Sequence, residues 1–144
     1  MLHFIVASHG PLATALIQSA NMVFGTLERT TAVCLTEEGG IEKFKQDFRE
    51  VINAIAPDVD GIVVLCDLEC GTPYNVACTY AFDTAFGTDV EVITGVNFPT
   101  LLMTADFTEH NSAPEVAETL RQEALKTVVV AKPVNRVEVE EDDF

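Results

Sequence analysis

Two polar stretches in this sequence could do chemistry together: Ser8-His9-Gly10, and the run from Asp67 through Leu68, Glu69, Cys70 and Gly71 to Thr72. An imidazole beside a carboxylate can be held in one tautomer. If Asp67 accepts the Nδ1 proton of His9, the Nε2 lone pair is left free and more nucleophilic. A phosphoryl group arriving on Nε2 then needs donors for its oxygens. Cys70-Gly71-Thr72-Pro73 falls at the expected start of a helix, where free N–H groups and the helix dipole favour an anion. Thr72 adds a hydroxyl at the expected N-cap, and Pro73 suits the first helical turn because its missing N–H would have had no partner. Glycine at positions 10 and 71 lets the backbone approach a phosphate closely. His9 and Asp67 are therefore the candidate catalytic pair, with Gly10, Gly71 and Thr72 as candidate phosphoryl-binding residues.

Other reactive side chains read as structural. His3 lies inside an apolar run, and His110 precedes an Asn-Ser loop between two helical patterns. Cys34, Cys66, Cys70 and Cys78 contain no C-x-x-C pair, which fits reduced thiols better than a zinc set. No G-x-x-x-x-G-K-[ST] pattern is present, and the scheme requires neither metal nor nucleotide, so no cofactor is expected.

The candidate residues must be positioned by elements that the apolar pattern reveals. Leu2 to Ala7, Thr30 to Leu35, Gly61 to Cys66 and Val90 to Thr94 are short apolar runs that predict strands, the first and third buried on both faces. Between them, helical spacing predicts helices over about 11–24, 41–55 and 73–86, followed by two more near 98–109 and 113–126. Val128 to Ala131 could form a fifth, short strand. Strands alternating with helices predict an α/β fold with a mainly parallel sheet, and right-handed crossovers would place helices on both faces. In such a sheet ligands bind beyond the carboxyl ends of the strands, near a switch in strand order. His9 follows the first strand, Asp67 the third, and Gly95-Val96-Asn97 the fourth. If the first and third strands are neighbours, His9 and Asp67 face each other.

Composition sets the outer bounds. The chain has 144 residues, a length that suits one ordinary domain, and 48% of them are hydrophobic. Its formal net charge of −15 disfavours nucleic acid and anionic membranes and favours encounter with a basic partner. No stretch approaches the roughly 20 apolar residues of a membrane span, and the opening Met1-Leu2-His3-Phe4 lacks a basic secretory region. A cytoplasmic location is expected.

Four segments, taken in order, resemble one family. They are Ala7-Ser8-His9-Gly10 (with Ala13 and Gly25), Asp67 to Asn75, Gly95 to Leu101, and Ala131-Lys132-Pro133. The family is the IIA component of mannose/fructose/sorbose-type sugar phosphotransferase systems, and the resemblance spans nearly the whole chain. It implies a phosphotransferase in which His9 accepts phosphate from the small carrier protein HPr and passes it to a IIB protein. Asp67 would orient the ring, and Thr72 would stand beside the phosphoryl group. It also implies a doubly wound sheet of four parallel strands with helices on both faces. A short C-terminal antiparallel strand, here about 128–132, would be exchanged in a homodimer. The phosphocarrier domain would occupy 1–133, with an acidic tail over 134–144. The IIB component would be a separate polypeptide, and the membrane IIC and IID subunits, which contact the sugar, would be reached only indirectly.

One residue departs from the family pattern: Cys70 stands where a glycine is usual, which would strain a left-handed backbone there. Two alternatives stay open. The related phosphotransferase subunit of dihydroxyacetone kinase systems typically reads Ser-His-Ser where this chain reads Ser8-His9-Gly10. A non-catalytic regulatory module would use His9 only to bind an anion.

Overall fold

Runs of β-branched and aliphatic residues build four strands: β1 (Leu2–His9), β2 (Thr30–Leu35), β3 (Gly61–Cys66) and β4 (Asp89–Ile93). Five helices connect and follow them: α1 (Leu12–Phe24), α2 (Gly40–Ile55), α3 (Thr72–Ala81), α4 (Phe98–Met103) and α5 (Ala113–Ala124). The structure, a computed structural model, describes residues 1–133. The expected acidic tail over 134–144 lies outside the described residues.

The sheet order is β2-β1-β3-β4, and every neighbouring pair is parallel. The chain steps outward from β1 to β2, then crosses back to lay β3 on the other side of β1. The switch in strand order therefore falls between β1 and β3, and the register Ala7↔Cys66 brings their carboxyl ends level.

Alternation along the strands divides the core. Ile5, Ala7, Ile62, Val64 and Cys66 pack against α2 and α3 through Phe44, Phe48, Ile52, Val76 and Ala77. On the opposite face, Leu2, Phe4, Val63 and Leu65 meet α5, while Val6 meets α1 and α4. β1 and β3 are buried on both faces, which is why they read as continuous apolar runs. Burying each large side chain such as Phe44 or Phe48 contributes about 1.5–3 kcal/mol. No helix among the described residues is long and apolar enough to cross a membrane.

Three elements differ from their predicted extents. β1 continues past Ala7, because His9 still pairs with Leu35 of β2. The third helix stops at Ala81 instead of near Phe86. There the Asp83 carboxylate accepts the Ala85 N–H at 2.9 Å, a local turn that competes with the helix, and Phe86 turns back to pack edge-on to Tyr80. The helix expected over 98–109 ends at Met103 and tightens into a 3₁₀ turn, Thr104–Asp106. The buried Thr104 hydroxyl donates to the Leu101 carbonyl at 2.6 Å, consuming an acceptor of that last turn.

The segment 128–131 forms no strand within this chain, and the outer edge of β4 has no partner among the described residues. α5 begins beside the amino end of β3, where Ala113 lies against Gly61, and it finishes near the carboxyl end of β4, where Thr127 meets Asn97.

Candidate functional site

His9 is the last residue of β1, and alternation turns its side chain toward the α2/α3 face, the side of Ile5 and Ala7. Asp67 is the first residue beyond β3, and its N–H extends the ladder by donating to the Ala7 carbonyl at 3.2 Å. The adjacency of β1 and β3 thus joins two residues that are 58 positions apart in the chain.

One carboxylate oxygen of Asp67, Oδ2, receives both the His9 backbone N–H at 3.0 Å and His9 Nδ1 at 2.9 Å. Oδ1 accepts the Leu68 N–H at 3.0 Å. The His9 side chain is 41% exposed and that of Asp67 only 11%. Burial works against the Asp67 charge, but hydrogen bonds from the His9 backbone and ring outweigh it and hold the carboxyl below its ordinary range. An ionised carboxylate only accepts, so Nδ1 carries a proton, and in the neutral ring Nε2 is the nitrogen left with the lone pair.

Nε2 faces the mouth of α3. A Cβ added at Gly71 would stand 2.8 Å from Nε2 and 3.0 Å from Cε1, so only glycine leaves that space open. Gly71 also has φ +90° and is the N-cap of α3, with Thr72 the first helical residue. Thr72 is thus one position inside the helix rather than at the cap. What it presents there is a backbone N–H of the first helical turn together with its hydroxyl. Gly10 has φ +58° and turns the chain out of β1, but its N–H is already donated to the Leu35 carbonyl at 2.7 Å. It shapes the turn and offers no free amide.

Cys70 is exposed, and Arg29 is the only non-glycine residue with positive φ among the described residues. The left-handed conformation falls on Gly71, so cysteine at position 70 carries none of the expected strain.

An open hollow of about 410 Å³ lies over His9, lined also by Gly10, Leu35, Thr36, Glu37 and Ile41. The third polar cluster braces the site without entering it. The Val96 N–H donates to the Cys66 carbonyl at 3.0 Å, and Asn97 caps α4 by accepting the Thr100 N–H at 3.0 Å. His3 bonds Thr31 Oγ1 at 2.8 Å, and His110 packs edge-on to Phe107, so neither joins the pair.

Sequence reading assigned no role to Ser8. It is completely buried, and its Oγ accepts the Ala13 N–H at 2.8 Å and donates to the Gly10 carbonyl at 3.2 Å. The signal available was alternation, which puts Ser8 on the α1 face, five residues before an amide of that helix's first turn.

Residues 3–121 match the family model described as PTS system fructose IIA component. The chain is 28% identical to the fructose-specific EIIA component of the phosphotransferase system of Bacillus subtilis (strain 168), over 84% of this chain and 80% of that one. It is also 28% identical to the sorbose-specific EIIA component from Klebsiella pneumoniae, over 97% of this chain and 99% of its relative. Among solved structures, the mannose/sorbose-specific IIA subunit from Enterococcus faecalis superposes with a TM-score of 0.75 at 25% identity, covering 92% of this chain and 96% of that one.

Proposed function

The chain belongs to the mannose/fructose/sorbose-type IIA family of the sugar phosphotransferase system, and from that membership we propose that His9 is the residue on which it carries the phosphoryl group. His9 Nε2 attacks the phosphorus of phosphorylated HPr in line, forming one P–N bond as the donor's breaks. The same group then leaves to a histidine of a separate IIB protein. Each step exchanges one phosphoramidate for another and is near balance, so positioning and charge stabilisation supply most of the acceleration.

The observation that carries this reading is the ring's double placement: Nδ1 is fixed on Asp67 at 2.9 Å while Nε2 points at Gly71. Asp67 steadies the imidazolium character that develops during transfer. The amides at the start of α3, with the Thr72 hydroxyl, receive the phosphoryl oxygens. The chain's net charge of −15 suits a donor whose docking face is basic.

The family membership favours sugar transport over the dihydroxyacetone kinase relative. Incubation with phosphoenolpyruvate, the enzyme that phosphorylates HPr, and HPr itself should place acid-labile phosphate on the wild-type chain and none on His9→Ala. Label persisting on that variant refutes the site, and a wild-type chain that takes up no phosphate favours the anion-binding module.

The assembly belongs to the same proposal. An open groove of about 820 Å³ runs beside β4, lined by Glu91, Val92, Ile93, Ala117, Arg121 and Val128 among others. Val128, Val129 and Val130 are 83%, 79% and 83% exposed. A strand edge with no partner among the described residues, next to three exposed valines, suits strand addition, here as a fifth, antiparallel strand exchanged between two copies.

A further inference from the structure

Resting on the assignment of His9 as the phosphoryl carrier, we infer that Ser8 is a positioning residue that fixes the His9 backbone for transfer. Alternation sends Ser8 and His9 to opposite faces of the sheet, so the end of β1 is gripped from both sides. On one side the His9 ring and backbone N–H are tied to Asp67. On the other, Ser8 Oγ takes the Ala13 N–H and gives its proton to the Gly10 carbonyl. α1 has no other side-chain cap, because its N-cap is Pro11. Ser8 therefore supplies the acceptor that a helix start requires, from outside the helix. The His9 N–H is held by Asp67 and the Gly10 N–H by Leu35, which fixes the two peptide units flanking His9, and Ser8 holds the carbonyl of the next unit, that of Gly10, so the turn out of β1 cannot rock. Ring placement over Gly71 depends on that turn, and transfer chemistry is sensitive to ångström displacements.

The test compares Ser8→Ala, Ser8→Cys and Thr104→Val, the last removing a buried hydroxyl elsewhere in the fold. Nitrogen-detected imidazole NMR reads the His9 tautomer, thermal melting reads stability, and initial rates against phosphorylated HPr separate kcat from KM. Ser8→Ala should convert the single Nδ1-protonated tautomer to a mixture and lower kcat by about tenfold to a hundredfold. Its KM should change less than about twofold, because the docking surface is intact. Ser8→Cys, whose thiol is a weak acceptor, should recover part of both signals, and Thr104→Val should change neither. An unaltered His9 spectrum in Ser8→Ala overturns the inference. So does a rate loss that merely follows lost stability equally in Ser8→Ala and Thr104→Val. If the wild-type chain takes up no phosphate, the carrier assignment falls, while the tautomer comparison still decides whether Ser8 positions His9.

Discussion

Two amino acids meet the His9 ring directly, one by what it accepts and one by what it lacks. Asp67 takes the ring and backbone N–H groups of His9 on a single oxygen, so orientation and tautomer are set together. Gly71 contributes an absence. Its left-handed φ of +90° suits glycine, and a side chain there would stand 2.8 Å from Nε2. Gly71→Ala should therefore cost about 1–3 kcal/mol of stability from the backbone conformation alone. Phosphoryl uptake should fall by about a hundredfold or more, because a methyl group occupies the approach to Nε2. Denaturant unfolding and the rate of labelling by phosphorylated HPr check the two effects separately. Near-wild-type labelling would show that the phosphoryl group enters from another side.

Strands and helices turn such local choices into a site, and the β1–β2 pair shows how an element can also make stability depend on pH. His3 on β1 bonds Thr31 on β2 at 2.8 Å. Burial, with the nearby Arg29 charge adding to it, lowers the His3 imidazole from 6.5 to about 4. Between those values the unfolded chain binds a proton that the folded chain refuses. This contribution to stability is therefore complete above about pH 6.5 and declines as pH falls toward about 4. In His3→Gln the extra slope should vanish, so urea midpoints of wild type and variant should converge as the solution is acidified through this window. Parallel curves would contradict a half-buried histidine kept neutral. The helices show a related lesson about ends. α3 and α4 each stop early because a polar side chain, Asp83 or Thr104, bonds locally where the apolar spacing still reads as helix.

Charge and assembly are properties of the whole molecule. The outer edge of β4 has no partner among the described residues, and Val128-Val129-Val130 is exposed beyond the last helix. If a second copy completes the sheet, Val129→Asp should shift the chain from dimer to monomer by about tenfold or more in dissociation constant, since a carboxylate would be desolvated against β4. Sedimentation or light scattering across a concentration series would detect this. Wild-type and variant proteins that are both monomeric at all concentrations would refute the exchange. His9 lies at the β1–β3 switch point, not on the outer edge of β4, so labelling of the variant also reports whether assembly and phosphoryl transfer are separable.

The sequence by itself determined the order and type of the four strands and five helices, though not the fate of 128–131, because strand and helix periodicity are properties of neighbouring residues. It also marked His9, Asp67 and the Gly71-Thr72 helix start, since each lies where an apolar run stops. Tertiary structure decided the rest. Laying β3 against β1 made positions 9 and 67 partners, a relation between residues 58 apart that no local pattern encodes. It engaged the Gly10 amide with Leu35, moved Thr72 one step inside its helix, and placed the left-handed residue at Gly71 rather than Cys70. It also buried Ser8 against α1, because a hydroxyl becomes a helix cap only when folding brings an unpaired amide within reach.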